Sequence, residues 1–203
     1  CDDSTNICQR SVMKARESGM PEESRWASFF EAAGALEAFL GNSRIEGNVV
    51  EFGCGYGTFT IPMAQRTNGI ITALDLEPDM VALVHRKASE RQLNNIQSVK
   101  RDFVDDGTGL DTGSQSHAMI YNLLHLAMPV ELLIEAHRVL RPGGTLSVMH
   151  WRSDIPSPRG PYLDIRPRPE QCQKWLLEAG FSEVTRVNLE KSCPYHYGLI
   201  ASH

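Results

Sequence analysis

The sequence predicts an α/β protein whose mostly parallel, doubly wound sheet carries helices on both faces. Three observations carry that expectation. Short apolar runs alternate with amphipathic helical segments between residues 49 and 151. The first run, Val49-Val50-Glu51-Phe52, feeds straight into Gly53-Cys54-Gly55-Tyr56-Gly57, with glycines at alternate positions. Polar residues then recur just past the ends of the runs, where open α/β sheets bind ligands.

The elements follow in order. Pro21 to about Leu40 is predicted as one helix, because Pro21-Glu22-Glu23 makes a good first turn. Trp26, Phe29, Phe30, Ala33, Leu36 and Phe39 keep helical spacing, and Gly41-Asn42 ends it. Val49–Phe52 is the first strand, and Thr58 opens a helix after the glycines. Residues 70–74 form the second strand, ending in Asp75, and residues 77–91 a helix. Residues 96–100 and 117–121 are the third and fourth strands, with a helix over 129–140. After the turn Arg141-Pro142-Gly143-Gly144, residues 144–151 form the fifth strand. Residues 152–168 form a connection rich in Pro and Arg, 170–179 a helix closed by Gly180, and 184–189 and 198–201 a final pair of strands.

At 203 residues with 41% apolar content, the chain suits a single domain with a sizeable core. Its N-terminal part, residues 1–44, is expected to act as a helical cap. No apolar run approaches the roughly 18 residues of a membrane span, and residues 1–20 are too polar for a signal peptide. A net charge of −5 argues against non-specific nucleic-acid binding. Cys1, Cys8, Cys54, Cys172 and Cys193 show no metal-ligand spacing, so no metal is expected, and an odd count fits reduced thiols in the cytoplasm.

The glycine turn narrows the ligand. A dinucleotide fingerprint needs Gly or Ala at position 58, where this chain has Thr58, and no Lys-Ser or Lys-Thr follows to make a P-loop. Asp75 is placed to accept both hydroxyls of a ribose, or to cap the following helix. Leu76 would cover a base. Asp102 can take an adenine amino group and the Phe103 backbone N–H a ring nitrogen, unless the pair is an exposed turn. Asn122 and His125 follow the fourth strand. Glu51, just before the glycines, either bonds backbone N–H groups in the core or meets a ligand's ammonium. Tyr56 is pocket wall or loop packing.

Glu51-x-Gly53-x-Gly55-x-Gly57, Asp75, Asp102-Phe103, Asn122 and Arg138-Val139-Leu140-Arg141-Pro142-Gly143-Gly144 together resemble the class I S-adenosylmethionine (SAM) methyltransferases, in the small type 11 group. The resemblance covers about residues 45–151. It implies a Rossmann-like seven-stranded sheet in the order 3-2-1-4-5-7-6 with strand 7 antiparallel, SAM as methyl donor, and Asn122 at the amino or carboxylate end of its methionine portion. The chain departs from the group at Ser116-His117, where an acid often opens the fourth strand.

On the acceptor side the chain offers His125 and His150 as bases and Trp26 as a wall. Arg152, Arg159 and Arg166 lie in a stretch that holds four arginines and five prolines between Arg152 and Pro169. Guanidinium groups on a stiff loop suit an acidic small-molecule substrate; the alternative is a solvated connection. The expected activity is therefore methyl transfer to a small acceptor. The competing readings are a non-catalytic SAM-binding or partner-binding subunit and, less well supported at position 58, a nicotinamide oxidoreductase.

Overall fold

In the computed structural model, which describes residues 21–203, seven strands form one sheet. They are β1 (Val49–Phe52), β2 (Ile71–Asp75), β3 (Ile96–Lys100), β4 (Gln115–Tyr121), β5 (Leu140–Trp151), β6 (Ser182–Val187) and β7 (His196–Ser202). Their order is β3-β2-β1-β4-β5-β7-β6, with β7 antiparallel to both neighbours, as expected. Every residue of β1 and β4 is buried, including the polar Glu51, Gln115, Ser116 and His117. The edge strands β3 and β6 are largely exposed and correspondingly polar.

Helices α2 (Ala32–Leu40), α3 (Thr60–Ala64) and α4 (Pro78–Glu90) cover one face, and α5 (Pro129–Val139) and α6 (Pro169–Glu178) the other. Strand alternation sorts the core accordingly. Val49, Ile71, Met119 and Met149 pack towards α2 and α3, while Val50, Leu74, Ile120 and Val148 pack towards α5 and α6. Helices α4, α5 and α6 each open with proline followed by an acid in the first turn.

Two expected elements differ. The helix expected over residues 21–40 is two, α1 (Glu23–Ala27) and α2. The chain turns between them because the Glu31 carboxylate accepts the Gly34 N–H at 2.8 Å and the Glu31 N–H reaches the Ser192 carbonyl at 2.8 Å. The described part of the expected cap thus holds two short helices, and residues 1–20, with Cys1 and Cys8, lie outside the described residues. The turn expected at 141–144 is instead an irregularity inside β5. Leu140 already pairs with Gln115, and the next pair is Thr145 with His117. Gly143, at φ +74°, makes the excursion possible, and Arg141 Nε ties it to the Ser116 hydroxyl at 2.9 Å.

Candidate active site

The carboxyl ends of β1, β2, β4 and β5 meet at one edge of the sheet, and the order reverses between β1 and β4. Beyond β1 the chain folds back on itself. Gly53, Gly55 and Gly57 all have positive φ, at +70°, +50° and +73°. The Cys54 N–H donates to the Leu74 carbonyl at 2.9 Å, so the loop is tied to β2 as well as β1. Burial pushes the Cys54 thiol far up, so it stays protonated.

Asp75 ends β2 and holds the loop. Its Oδ2 accepts the Gly55 N–H at 2.7 Å and its Oδ1 the Glu77 N–H at 2.9 Å. The expected cap on the following helix is not made, since Glu77 is the N-cap residue of α4 and no side chain caps it; Asp75 instead fixes the turn that leads into it. A carboxylate offers about four lone-pair sites, so capacity remains for a ligand's hydroxyls. Leu76, next to it, is half-buried.

Glu51 is 3% exposed and accepts the Thr60 hydroxyl, across the glycine loop. Burial raises its pKa to about 8; the Thr60 bond opposes the rise and the charge of Asp75 adds to it. The Tyr56 hydroxyl donates to the Pro21 carbonyl at 2.7 Å, while Lys87 Nζ reaches the Tyr56 carbonyl at 2.6 Å and pairs with Glu23. Tyr56 thus joins the loop to the segment that leads into α1.

Asp102 closes a turn by accepting the Asp105 N–H at 3.3 Å. The Phe103 ring is buried edge-on to Phe52, with centroids 5.5 Å apart, leaving its backbone as the part available to a ligand. At the end of β4, Asn122 adopts φ +60°, and its N–H donates to the Met149 carbonyl at 2.7 Å. Its side-chain Oδ1 is buried and has no hydrogen-bond partner. Leu123 lies over Gly53, where an added Cβ would stand 3.2 Å from Leu123 Cδ1.

His125 and His150 come together: Nδ1 of the first lies 3.2 Å from Nε2 of the second. His150 is fully buried, and its pKa falls to about 3 through burial and its neighbour His125. Trp151, also buried, is ringed by Phe29, Phe30, the half-buried Trp26 and His196, with centroids 5.7, 6.3, 6.4 and 4.1 Å away.

The 152–168 connection is ordered by one of its own arginines. Arg166 donates to the carbonyls of Pro161 at 2.8 Å, Arg152 at 2.9 Å and Arg159 at 3.2 Å, and lies 5.8 Å from the Trp151 ring. Its guanidinium is committed to the loop. Arg152 makes a two-bond pair with Asp154, and Arg159 is half-buried. A cleft of about 840 Å³ opens beside this connection, with Arg152, Arg168, Arg186 and His196 in its wall alongside Asp154, Glu170 and Glu190.

His196, Arg168 and Arg186 were not among the expected site residues. His196 is 3% exposed with both ring nitrogens unpartnered, and only its pairing with Trp151 across β7 and β5 brings it to this edge. A buried chain of His117, Ser147 and Tyr121 also went unforeseen. His117 Nε2 lies 3.0 Å from the Ser147 hydroxyl, which lies 2.8 Å from Tyr121 Oη. Alternation along β4 puts 117 and 121 on one face, so that signal was available. Among the described residues no group of three or more His, Cys, Asp or Glu is arranged to hold a metal ion.

A seven-stranded doubly wound sheet with antiparallel β7, a glycine loop after β1 and an acid at the end of β2 defines the fold of the class I SAM-dependent methyltransferases. Residues 49–144 match the family described as a methyltransferase domain. An uncharacterized 37.1 kDa protein from a Streptomyces fradiae transposon is 34% identical over 116 residues, covering 55% of this chain and 31% of that protein. A SAM dependent methyltransferase from Aquifex aeolicus superposes with a TM-score of 0.73 at 22% identity, over 89% of this chain and 93% of that one. Geranyl diphosphate C-methyltransferase from Streptomyces coelicolor, solved with Mg²⁺, geranyl diphosphate and S-adenosyl-L-homocysteine, gives 0.66 at 15% identity, over 84% and 76%. The chain spans between 25% and 37% of the length of the curated relatives it matches. Residues 49–144 thus match a methyltransferase domain, and the chain as a whole has the fold of these SAM-dependent methyltransferases.

Proposed function

We propose that this chain binds SAM over the glycine loop and transfers its methyl group to a small-molecule acceptor. The observation that carries the reading is the buried, unpartnered Asn122 Oδ1 at the switch point of the sheet. A buried acceptor without a donor costs about 1–3 kcal/mol, and a ligand ammonium arriving there would recover it. The residues present fit the whole donor. Asp75 takes the ribose hydroxyls, Leu76 lies along the adenine, and Asp102 with the Phe103 N–H reads the adenine edge. Gly53, Gly55 and Gly57 let backbone come close, with Tyr56 fixing the loop. Glu51 and Asn122 meet the amino-acid end.

The bound donor supplies an electrophilic methyl on a sulfonium. The protein's part is to hold an acceptor in line with that methyl and keep water out, which lowers the barrier without a covalent intermediate. The acceptor lies over His125, with His150 buried behind it and Trp26 as one wall. Its acidic group is held by Arg152 and Arg159 from the connection and, across the cleft, by Arg168 and Arg186; Arg166 acts by keeping the connection in shape. Resemblance to an enzyme solved with a diphosphate ligand supports an anionic acceptor. The same reading takes residues 1–203 as one domain with cap 1–44 and insertion 152–168, uses neither nucleic acid nor membrane as partner, and sets the protein in the cytoplasm. The three cysteines among the described residues, all buried and without a disulfide, support that setting. No helix of the described residues is long and apolar enough to cross a membrane.

Calorimetry with SAM, S-adenosylhomocysteine and NAD on the wild type and Asp75→Ala tests the donor site. Micromolar binding of both sulfur ligands, weakened at least tenfold in the variant, is expected. Binding of NAD alone would overturn the reading.

A further inference from the structure

The two histidines at the acceptor edge are joined in a way that fixes where their protons sit. His150 Nδ1 lies 3.2 Å from the Trp151 carbonyl oxygen. A carbonyl only accepts, so Nδ1 carries the hydrogen. In a neutral imidazole the other nitrogen then presents a lone pair. That nitrogen, His150 Nε2, is the atom 3.2 Å from His125 Nδ1. His125 Nδ1 must therefore donate, and the lone pair of His125 is left on Nε2. This last nitrogen makes no hydrogen bond to any described residue, and its ring is half-buried three residues past Asn122.

The chain carbonyl–His150–His125 thus ends in one basic atom at the carboxyl edge of β4. Arg166, from the 152–168 connection, and His150, from β5, are the charged or titratable groups that face His125, and no carboxylate is among them. Burial and the Arg166 charge both lower the His125 pKa, and burial lowers that of His150 to about 3. Both rings are neutral at pH 7, which the tautomer argument requires.

We propose that His125 is the base that removes a proton from the methyl acceptor, with His150 as the positioning residue that keeps Nε2 unprotonated. The inference rests on the methyltransferase reading and narrows its substrate class. The acceptor's reacting atom carries a proton, as in a hydroxyl or an N–H, and any carboxylate or phosphate it has serves recognition. The balance is simple. The acceptor heteroatom gains the C–heteroatom bond, the methyl–sulfur bonding pair stays on sulfur, and the heteroatom's proton goes to His125 Nε2. The resulting imidazolium faces Arg166, so the proton passes on to solvent.

Long-range proton–nitrogen correlation NMR on ring-¹⁵N histidine protein reads the tautomers directly, with assignments from single variants. Both His125 and His150 are expected as Nδ1–H at pH 7. In His150→Phe, which keeps an aromatic ring in the buried site, His125 should revert towards the Nε2–H form favoured by free imidazole. Turnover is then read as S-adenosylhomocysteine release from a panel of phenols, alcohols, amines, thiols and carboxylic acids. His125→Ala should lose at least about 100-fold in kcat and the acidic limb of the pH profile, while SAM binding by calorimetry stays within about two-fold. An Nε2–H His125 in the wild type, full turnover by His125→Ala, or turnover of carboxylic acids alone, which are already ionised at pH 7, would overturn the proposal. Failure of the wild type to bind SAM would overturn the methyltransferase reading instead, leaving the tautomer result intact.

Discussion

The Thr60 hydroxyl donates to the Glu51 carboxylate, joining the first residue of the helix after the glycine loop to the strand before it. The bond spans the place where the amino-acid end of a donor would sit. It also leaves a carboxyl group that burial has pushed to about pKa 8, so Glu51 carries its proton at neutral pH.

Binding of a cationic amino group beside Glu51 should therefore expel that proton. The affinity for SAM is expected to rise by up to about tenfold per pH unit between pH 6 and 8 and to level off above. Calorimetry in buffers of different ionisation enthalpy should read the release of nearly one proton at pH 6.5. Glu51→Gln keeps the acceptor for Thr60 and should abolish both effects. In the ligand-free protein the sign is reversed. The protonated, buried Glu51 favours the folded state fully below pH 4.5, and that contribution is lost as pH climbs towards 8. Glu51→Gln should therefore melt higher than the wild type at pH 8. An affinity that is flat in pH would show that no charge meets Glu51.

Three buried histidines predict the opposite trend in acid. Burial lowers His117 to about 4 and His150 and His196 to about 3, from 6.5 in the unfolded chain. Their neutral forms support the fold fully above pH 6.5, and that support is lost as pH falls below it, by up to about 1.4 kcal/mol per unit for each ring. Glu51 runs the other way, one group against three. The melting temperature should fall steeply from pH 6.5 to 4.5. His196→Phe removes two unpartnered nitrogens from the stack between Trp151 and Phe30 and should raise stability at pH 7 by about 1–2 kcal/mol, with a shallower acid decline. His117→Phe breaks contacts to Thr145 and Ser147 and should lower it.

How far the sequence reached follows from the range of the forces involved. Val49–Phe52 and residues 96–100 were legible to the residue, because Gly47-Asn48 and Gly53 bound the first and Asn94-Asn95 opens the second. The glycine loop and Asp75 were legible because backbone approach restricts residue choice locally. The break between α1 and α2 was not, since it depends on the Glu31 N–H meeting Ser192, far along the chain. Nor was the commitment of Arg166 to three carbonyls, because composition alone does not tell an arginine that binds substrate from one that binds its own loop. His196 entered the site only through the antiparallel register of β7 against β5.

That commitment of Arg166 can be weighed against a neighbouring arginine. Arg166 is 7% exposed and its donors serve Pro161, Arg152 and Arg159, so its loss strands three carbonyls at once and removes its contact with the Trp151 face. Arg166→Met keeps the apolar stem and should cost about 2–3 kcal/mol in thermal unfolding. Cleavage within 152–168 should become at least tenfold faster in limited proteolysis. Arg166→Lys should recover little, because one ammonium does not reproduce the planar fork that reaches several carbonyls. Arg152, whose pair with Asp154 is exposed, should lose less than about 1 kcal/mol on substitution by Ala, so its effect should fall on acceptor binding. If Arg166→Met resists protease as well as the wild type, the connection is held by its prolines and the Trp151 wall, and the guanidinium is free to serve the acceptor after all.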